Sequence, residues 1–146
     1  IPLIINDRLD IALAVNAAGL HIGQSDLPAP VARRILGPGK ILGVSVGCVQ
    51  EALQAKADGA DYLGVGGCFT TNTKLDADYI TPEEMKKIDA MVQLPKVGIG
   101  GIKPGNICQL SGLGFDGVAV VSAIMGQADP CARAQELLVK LEEAGI

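Results

Sequence analysis

Polar residues and glycines that could do chemistry follow each apolar run of the chain. The clusters are Asn6-Asp7, Gln24-Ser25-Asp26, Ser45-Val46-Gly47, Gly66-Gly67, Gly100-Gly101 and Ser122. Two carboxylates suit Mg²⁺, which binds a few carboxylates together with water and phosphate oxygens. A serine hydroxyl can donate to a phosphate oxygen, and glycine lets backbone N–H groups approach an anion. This inventory predicts a site for anionic, phosphorylated molecules.

Several of these residues have an alternative explanation. Aspartate is a strong helix N-cap, and for Asp7 alone we favour a cap over a metal ligand by about two to one. Asp26 stands just before Pro28 and could also be a cap. His21 lies inside an apolar run, so we interpret it as a satisfied interior residue rather than a catalytic base. Ser45 by itself is a weak signal.

Two further loops could hold a phosphate group. The segment Thr70-Thr71-Asn72-Thr73-Lys74 offers several neutral donors and one positive charge to an anion. Without context, a polar loop with no binding role is an equally good interpretation. The runs 98–102 and 120–124 are stronger, because barrels frequently bind phosphate with the loops after their last two strands. Tight packing between strand and helix would also favour glycine there.

The elements that must position these residues alternate along the chain. Nearly continuous apolar runs predict parallel strands buried on both faces, at 2–6, 20–23, 41–46, 61–66, 96–101 and 117–122. Amphipathic stretches predict helices at 8–18, 28–36, 48–58, 81–92, 104–112 and 129–144. The fold class is therefore α/β, with six βα units. We favour an incomplete (β/α)8 TIM barrel over an open doubly wound sheet, because a polar or glycine-rich cluster follows every strand. A barrel collects its active site from many strand ends, whereas an open sheet concentrates it at one switch point.

Bulk properties limit the other functions. The chain has 146 residues and a net charge of −4, which predicts one domain, 1–146, with no general attraction to nucleic acid or membrane. Four well separated cysteines and one histidine argue against zinc and for a reduced, cytoplasmic protein. A closed barrel needs eight βα units, and the chain opens without Met directly in a strand-like run, so we expect the two missing units before residue 1.

The motifs IINDR, HIGQSD, GVSVG, TNTK, GIGGI and VVSAIMG occur in an order and spacing that resembles the thiamine-phosphate synthase family. The resemblance implies a transferase that couples hydroxymethylpyrimidine diphosphate with hydroxyethylthiazole phosphate. It implies Mg²⁺ as cofactor, held by Asp7 and Asp26. It implies that the pyrimidine diphosphate is contacted by Asn6, Ser45 and Lys74, of which Ser45 and Lys74 are catalytic. It implies that the thiazole phosphate is bound by Thr71, Asn72, Thr73, Gly101, Val121 and Ser122.

Some features depart from that pattern. The family's basic cluster on its second strand has no counterpart here, so we expect the isolated 146 residues to be inactive. Gly47 and the segment 70–74 resemble fungal bifunctional enzymes, in which a hydroxyethylthiazole kinase is fused after the synthase. The alternatives are a thiazole tautomerase-like paralogue and a non-catalytic barrel fragment. A homo-oligomer is left open.

Overall fold

A computed structural model describes residues 1–70 and 79–146, and within them six parallel strands form one sheet. Each strand pairs with the next strand in the sequence, in the order β1 to β6. The strands are β1 (Ile4–Asn6), β2 (Gly19–Ile22), β3 (Ile41–Val46), β4 (Tyr62–Val65), β5 (Lys96–Ile99) and β6 (Gly117–Ala119).

The strand order distinguishes the barrel-like architecture that the sequence favoured from a doubly wound sheet. A doubly wound sheet reverses direction at a switch point, so its spatial order differs from its sequence order. Here the order never reverses, as in the successive βα units of a barrel. The prediction of an α/β fold with six parallel strands is therefore confirmed.

Helices connect the strands, and several predicted bounds were wrong. The helices are α1 (Leu9–Ala14), α2 (Ala29–Leu36), α3 (Val49–Ala57), α4 (Pro82–Met91), α5 (Ser122–Met125) and α6 (Pro130–Ala144). The predicted helix 104–112 is instead a short 3₁₀ turn, Ile107–Leu110. The predicted strand 117–122 ends at Ala119, and its last predicted residue begins α5.

Two helix starts follow directly from their sequences. Thr81 Oγ1 accepts a hydrogen bond from the Glu84 amide, with Pro82 as the first helical residue of α4. Asp129 Oδ1 accepts one from the Ala132 amide at the start of α6. Both combine an N-cap that satisfies a free amide with a proline that has no amide to satisfy.

The core lies between the sheet and the helices. Leu20, Ile22, Leu42 and Leu63 are at most 1% exposed and form part of it. Side chains alternate between the two faces of a strand, so His21, which lies between Leu20 and Ile22, projects from the opposite face. No helix among the described residues is long and apolar enough to cross a membrane.

Candidate active site at the carboxyl edge of the sheet

The first two strands bring Asp7 next to the loop that carries Asp26. Asn6 is in register with His21, and the Asp7 amide donates to the His21 carbonyl at 2.8 Å. Asp7 has a φ of 63°, which turns the chain away from the strand immediately after β1. Asn6 and Asp7 are exposed and Asp26 is half-buried, so these polar groups can be reached from solvent.

Neither aspartate is a helix cap, and the alternative explanation for both is wrong. The N-cap position of α1 is Arg8, and that of α2 is Pro28, with no capping bond from a side chain in either case. The Asp26 carboxylate instead accepts a hydrogen bond from the Gly23 amide at 2.7 Å. That bond holds the loop after β2 in a compact turn, with Asp26 half-buried at the sheet edge.

Behind this edge lies a chain of hydrogen bonds across three strands. His21 Nδ1 lies 2.8 Å from the Tyr62 hydroxyl oxygen, and His21 Nε2 lies 2.8 Å from Ser45 Oγ. Both ring nitrogens therefore have partners, as expected for a satisfied interior histidine. Tyr62 is part of this arrangement although the sequence did not single it out. We call Tyr62, His21 and Ser45 the interior hydrogen-bond chain.

The electrostatics of this chain favour neutral groups. Burial lowers the pKa of His21, and the nearby Asp26 carboxylate raises it to a smaller extent. Burial also raises the pKa of Tyr62. An imidazole with a lowered pKa and a phenol with a raised pKa are both uncharged at neutral pH, so the chain acts through hydrogen bonds rather than ionic charge.

Glycines make room for the two rings. A Cβ atom on Gly64 would lie 2.8 Å from His21 Cε1, and a Cβ on Gly43 would overlap the Tyr62 ring. Any larger residue at either position would displace a ring of the interior hydrogen-bond chain. The sequence did contain a signal for the interior hydrogen-bond chain. Gly43 and Ser45 lie two residues apart on one strand, and so do Tyr62 and Gly64 on the next, so each glycine shares a strand face with a polar side chain.

Polar side chains fix the backbone around Ser45. The Gln24 side-chain amide donates to the Ser45 carbonyl at 2.7 Å, which ties the loop after β2 to the end of β3. The Glu51 carboxylate accepts from the Gly47 amide at 2.7 Å. The predictions did not assign a role to Gln24 or Glu51, whose contacts depend on a loop conformation that spacing alone does not give.

The loops after β4 and β5 lie against each other. The Cys68 amide donates to the Ile99 carbonyl at 3.1 Å, and the Phe69 amide donates to the Gly100 carbonyl at 3.0 Å. Gly101 has a φ of 62°, and a Cβ there would lie 2.7 Å from the Thr70 carbonyl oxygen. The predicted site residues Thr71, Asn72, Thr73 and Lys74 lie outside the described residues.

The last predicted cluster follows β6, next to the glycine loop. β5 and β6 are paired in parallel up to Ile99 and Ala119, so the loops that follow them emerge side by side. Val121 and Ser122 are exposed, and Ser122 is the first residue of the four-residue helix α5. The predicted site residues that the structure describes thus lie along one edge, with the carboxylates at the β1–β2 end and the glycine loop at the β5–β6 end.

Comparison with known proteins identifies the relatives of this chain. The model of the family described as thiamine monophosphate synthase matches residues 1–124. The chain is 55% identical to the thiamine-phosphate synthase of Clostridium beijerinckii over 137 residues, which are 94% of this chain and 66% of that protein. It is 60% identical to the thiamine-phosphate synthase of Moorella thermoacetica, over 92% of this chain and 64% of that protein.

A solved structure agrees with these relatives. The thiamine phosphate pyrophosphorylase from Pyrococcus furiosus superposes with a TM-score of 0.88 at 42% identity, over 97% of this chain and 67% of that one. The chain spans about two thirds of the length of the curated relatives named above. Those relatives are bacterial, so they do not support the fungal likeness inferred from Gly47 and the segment 70–74. The chain belongs to the thiamine monophosphate synthase family.

Proposed function

We propose that this chain carries the active site of a thiamine-phosphate synthase, which couples hydroxymethylpyrimidine diphosphate to hydroxyethylthiazole phosphate. The observation that carries the proposal is the arrangement along the sheet edge, where carboxylates and a glycine loop flank Ser45 from opposite ends. One end suits a metal-bound diphosphate and the other suits a monophosphate. The similarity to proteins named thiamine-phosphate synthase supports the same substrates.

The proposed reaction breaks one bond and forms one bond. The bond between the pyrimidine methylene carbon and the diphosphate oxygen breaks, and its electron pair leaves with pyrophosphate. The thiazole nitrogen then donates its lone pair to the resulting methylene cation. Because this nitrogen needs no deprotonation, the reaction requires no histidine or cysteine base. A histidine whose two ring nitrogens are already hydrogen-bonded is consistent with that chemistry.

At the β1–β2 end, Asp7 and Asp26 are the proposed ligands of Mg²⁺. Among residues 1–70 and 79–146, no group of three or more His, Cys, Asp or Glu side chains could hold a metal. Two carboxylates nevertheless fit Mg²⁺, which usually keeps several waters and binds substrate phosphates. When bound, the ion would neutralise charge on the departing pyrophosphate.

The pyrimidine diphosphate is proposed to lie between those carboxylates and β3. Asn6 offers a side-chain amide at the end of β1, and Ser45 offers a hydroxyl at the end of β3. Lys74 is proposed to contribute its positive charge to the same diphosphate. Donors placed where negative charge develops stabilise the transition state more than the ground state, so Ser45 and Lys74 are the proposed catalytic residues.

The thiazole phosphate is proposed to lie at the β5–β6 end. Backbone N–H groups of Gly101, Val121 and Ser122 would surround its phosphate oxygens, since the first amides of a helix such as α5 have no partner within the helix. Thr71, Asn72 and Thr73 would add hydroxyl and amide donors. This end of the edge lies opposite the carboxylates, which keeps the phosphate away from two negative charges.

The remaining third of the relatives' length is proposed to complete the barrel. In the described chain, β1 and β6 form the two edges of the sheet. Two additional βα units would pair with both edges and close an eight-stranded barrel. They would also supply the basic strand that the family uses to bind the diphosphate.

The direct test is to incubate the natural full-length protein with both substrates and Mg²⁺ and to measure thiamine phosphate and pyrophosphate. We expect the two products in equal amounts. A protein that isomerises the thiazole phosphate but leaves the diphosphate intact would instead be a tautomerase-like paralogue. No turnover of either substrate by the folded protein would support the non-catalytic alternative. Residues 1–146 alone are expected to be inactive in the same assay.

A further inference from the structure

We propose that Tyr62 and His21 are positioning residues, which orient the Ser45 hydroxyl so that its hydrogen points toward the substrate. The inference rests on the proposed function for the role of Ser45 and goes beyond it in assigning roles to the other two residues. Its basis is the interior hydrogen-bond chain, in which one imidazole bridges a phenol and a serine at 2.8 Å on each side.

The direction of the hydrogen bonds follows from the partners of Tyr62. Among the described residues, the Tyr62 hydroxyl hydrogen-bonds only to His21 Nδ1. If Nδ1 carried the imidazole proton, the hydrogen of the half-buried Tyr62 hydroxyl would have no protein acceptor among those residues. If Nδ1 is unprotonated, Tyr62 donates to it and both groups are satisfied. The second arrangement places the imidazole proton on Nε2.

A proton on Nε2 determines what Ser45 can do. The His21 Nε2–H then donates to Ser45 Oγ, so the serine hydrogen is no longer needed for the bond to the imidazole. Ser45 is left with an O–H group that can donate to a third partner. In the other tautomer, Ser45 would donate to Nε2 and present only lone pairs to the site, which would repel an anionic leaving group.

Cooperativity strengthens this effect. Each hydrogen bond in a chain polarises the next, so a serine oxygen that accepts from Nε2–H becomes a better donor. The interior hydrogen-bond chain consists of neutral groups and ends at the proposed diphosphate site. Negative charge increases at that site as the carbon–oxygen bond breaks. The stabilisation is greatest in the transition state and should therefore affect turnover more than substrate affinity.

The surrounding residues support a specific role rather than filling of space. Gly43 and Gly64 leave the volume that the Tyr62 and His21 rings occupy, since a Cβ at either position would collide with a ring. The bond from Gln24 to the Ser45 carbonyl fixes the backbone that carries the hydroxyl. With its backbone fixed, Ser45 can respond to the imidazole mainly by rotation of its hydroxyl.

Nitrogen NMR tests the tautomer without reference to activity. His21 is the only histidine of these 146 residues, and in the natural full-length protein labelled with ¹⁵N-histidine its pair of imidazole signals is assigned by their loss in His21→Gln. We expect a protonated Nε2 and an unprotonated Nδ1. In Tyr62→Phe the Nδ1–H tautomer should become populated, whereas Tyr79→Phe, at the only other tyrosine of these 146 residues, should leave the signals unchanged. An Nδ1–H tautomer in the parent chain, or no response to Tyr62→Phe, would overturn the inference.

Kinetics on the natural full-length protein test the consequence for Ser45. Tyr62→Phe should lower kcat by about tenfold with little change in KM, which corresponds to one weakened hydrogen bond in the transition state. His21→Gln keeps an N–H donor near the position of Nε2, so it should retain on the order of tenfold more turnover than His21→Leu. Equal turnover of these two folded variants would contradict the role of His21.

The two levels of the inference can fail separately. If the parent protein makes no thiamine phosphate, the proposed function is wrong. The NMR measurement still tests the predicted tautomer of His21, because it does not depend on activity. If the parent protein is active and Tyr62→Phe retains full kcat, the proposed function stands and the positioning role is wrong.

Discussion

Asp61 Oδ2 accepts a hydrogen bond from Arg33 Nη2 at 2.5 Å and a second from the Leu42 amide at 2.8 Å. One carboxylate oxygen thus connects α2, the start of β3 and the residue before β4. Arg33 also donates to the carbonyls of Gly59, Gly37 and Lys40. This network lies at the amino ends of the strands, opposite the candidate active site, so its role is in stability.

Replacing Arg33 by Ala should destabilise the fold without affecting the site. The change leaves three backbone carbonyls and the Asp61 carboxylate without a charged donor, so the free energy of unfolding should fall by about 2–4 kcal/mol. Urea denaturation followed by circular dichroism measures the change. Arg34→Ala is the matched control. Because Arg34 is exposed, its replacement should lower the free energy of unfolding by less than about 0.5 kcal/mol. Equal losses in both variants would contradict the network.

The sequence predicted the strands well because their apolar runs are intrinsic to parallel strands. All six predicted strands form, with ends within three residues of the prediction. The helices were less predictable where local signals conflict. The segment 104–112 contains glycines and Pro104, and only Ile107–Leu110 forms a turn, packed by its buried apolar residues. The predicted end of α1 at residue 18 was wrong because Asn16, one residue after the C-cap Val15, takes the left-handed conformation with a φ of 51° and ends the helix earlier.

The candidate site was predictable only at the level of strand ends. Parallel strands necessarily gather Asp7, Asp26 and Ser45 at one edge, so their grouping follows from the fold class. The interior hydrogen-bond chain did not follow, because it requires side chains of β2, β3 and β4 to project from the same face in a particular register. The turns that remove Asp7 and Asp26 from capping positions depend on a positive φ and on a bond to Gly23, which residue spacing does not encode.

If Asp7 and Asp26 hold Mg²⁺, neutralising either one should abolish most of the activity and weaken the metal dependence. We expect Asp7→Asn and Asp26→Asn in the natural full-length protein to lower kcat/KM for the pyrimidine diphosphate by about 10²-fold or more. A higher concentration of Mg²⁺ should restore part of the rate. The measurement is kcat/KM at several Mg²⁺ concentrations. A reaction with added chelator gives the rate in the absence of the metal.

The matched control for these two variants is Asp10→Asn. Asp10 is an exposed carboxylate close in sequence to Asp7, but it pairs with Arg8 on the surface. The Arg8 guanidinium lowers the pKa of that carboxyl to about 2, so Asp10 is also ionised at neutral pH. Because it lies on α1 rather than at a strand end, its loss should leave the rate and the Mg²⁺ dependence unchanged. A large loss in Asp10→Asn would show that any carboxylate in this region matters, and the ligand assignment would fail.

If the loop at Gly101 binds the thiazole phosphate as proposed, adding one methyl group at this position should impair the use of that substrate. Alanine at this position meets a φ of 62° and would approach the Thr70 carbonyl oxygen, so the loops after β4 and β5 must separate. We expect Gly101→Ala to cost about 1–2 kcal/mol of stability and to lower kcat/KM for the thiazole phosphate by roughly tenfold. Gly105→Ala is the control, since a Cβ there meets nothing within 4 Å. Similar kinetic losses in both variants would argue against a cradle at Gly101.

Cys68 should resist alkylation while the exposed cysteines react. Burial raises the pKa of the Cys68 thiol to about 11, and its Sγ donates to the Val65 carbonyl at 3.4 Å. The thiolate is the reactive form, so at pH 8 only roughly a thousandth of Cys68 would be available. Cys108 and Cys131 are exposed and should be modified first. Peptide mass spectrometry after timed treatment with iodoacetamide ranks the sites. Cys68 labelling at pH 8 as fast as that of Cys131 would show that the loop after β4 opens readily.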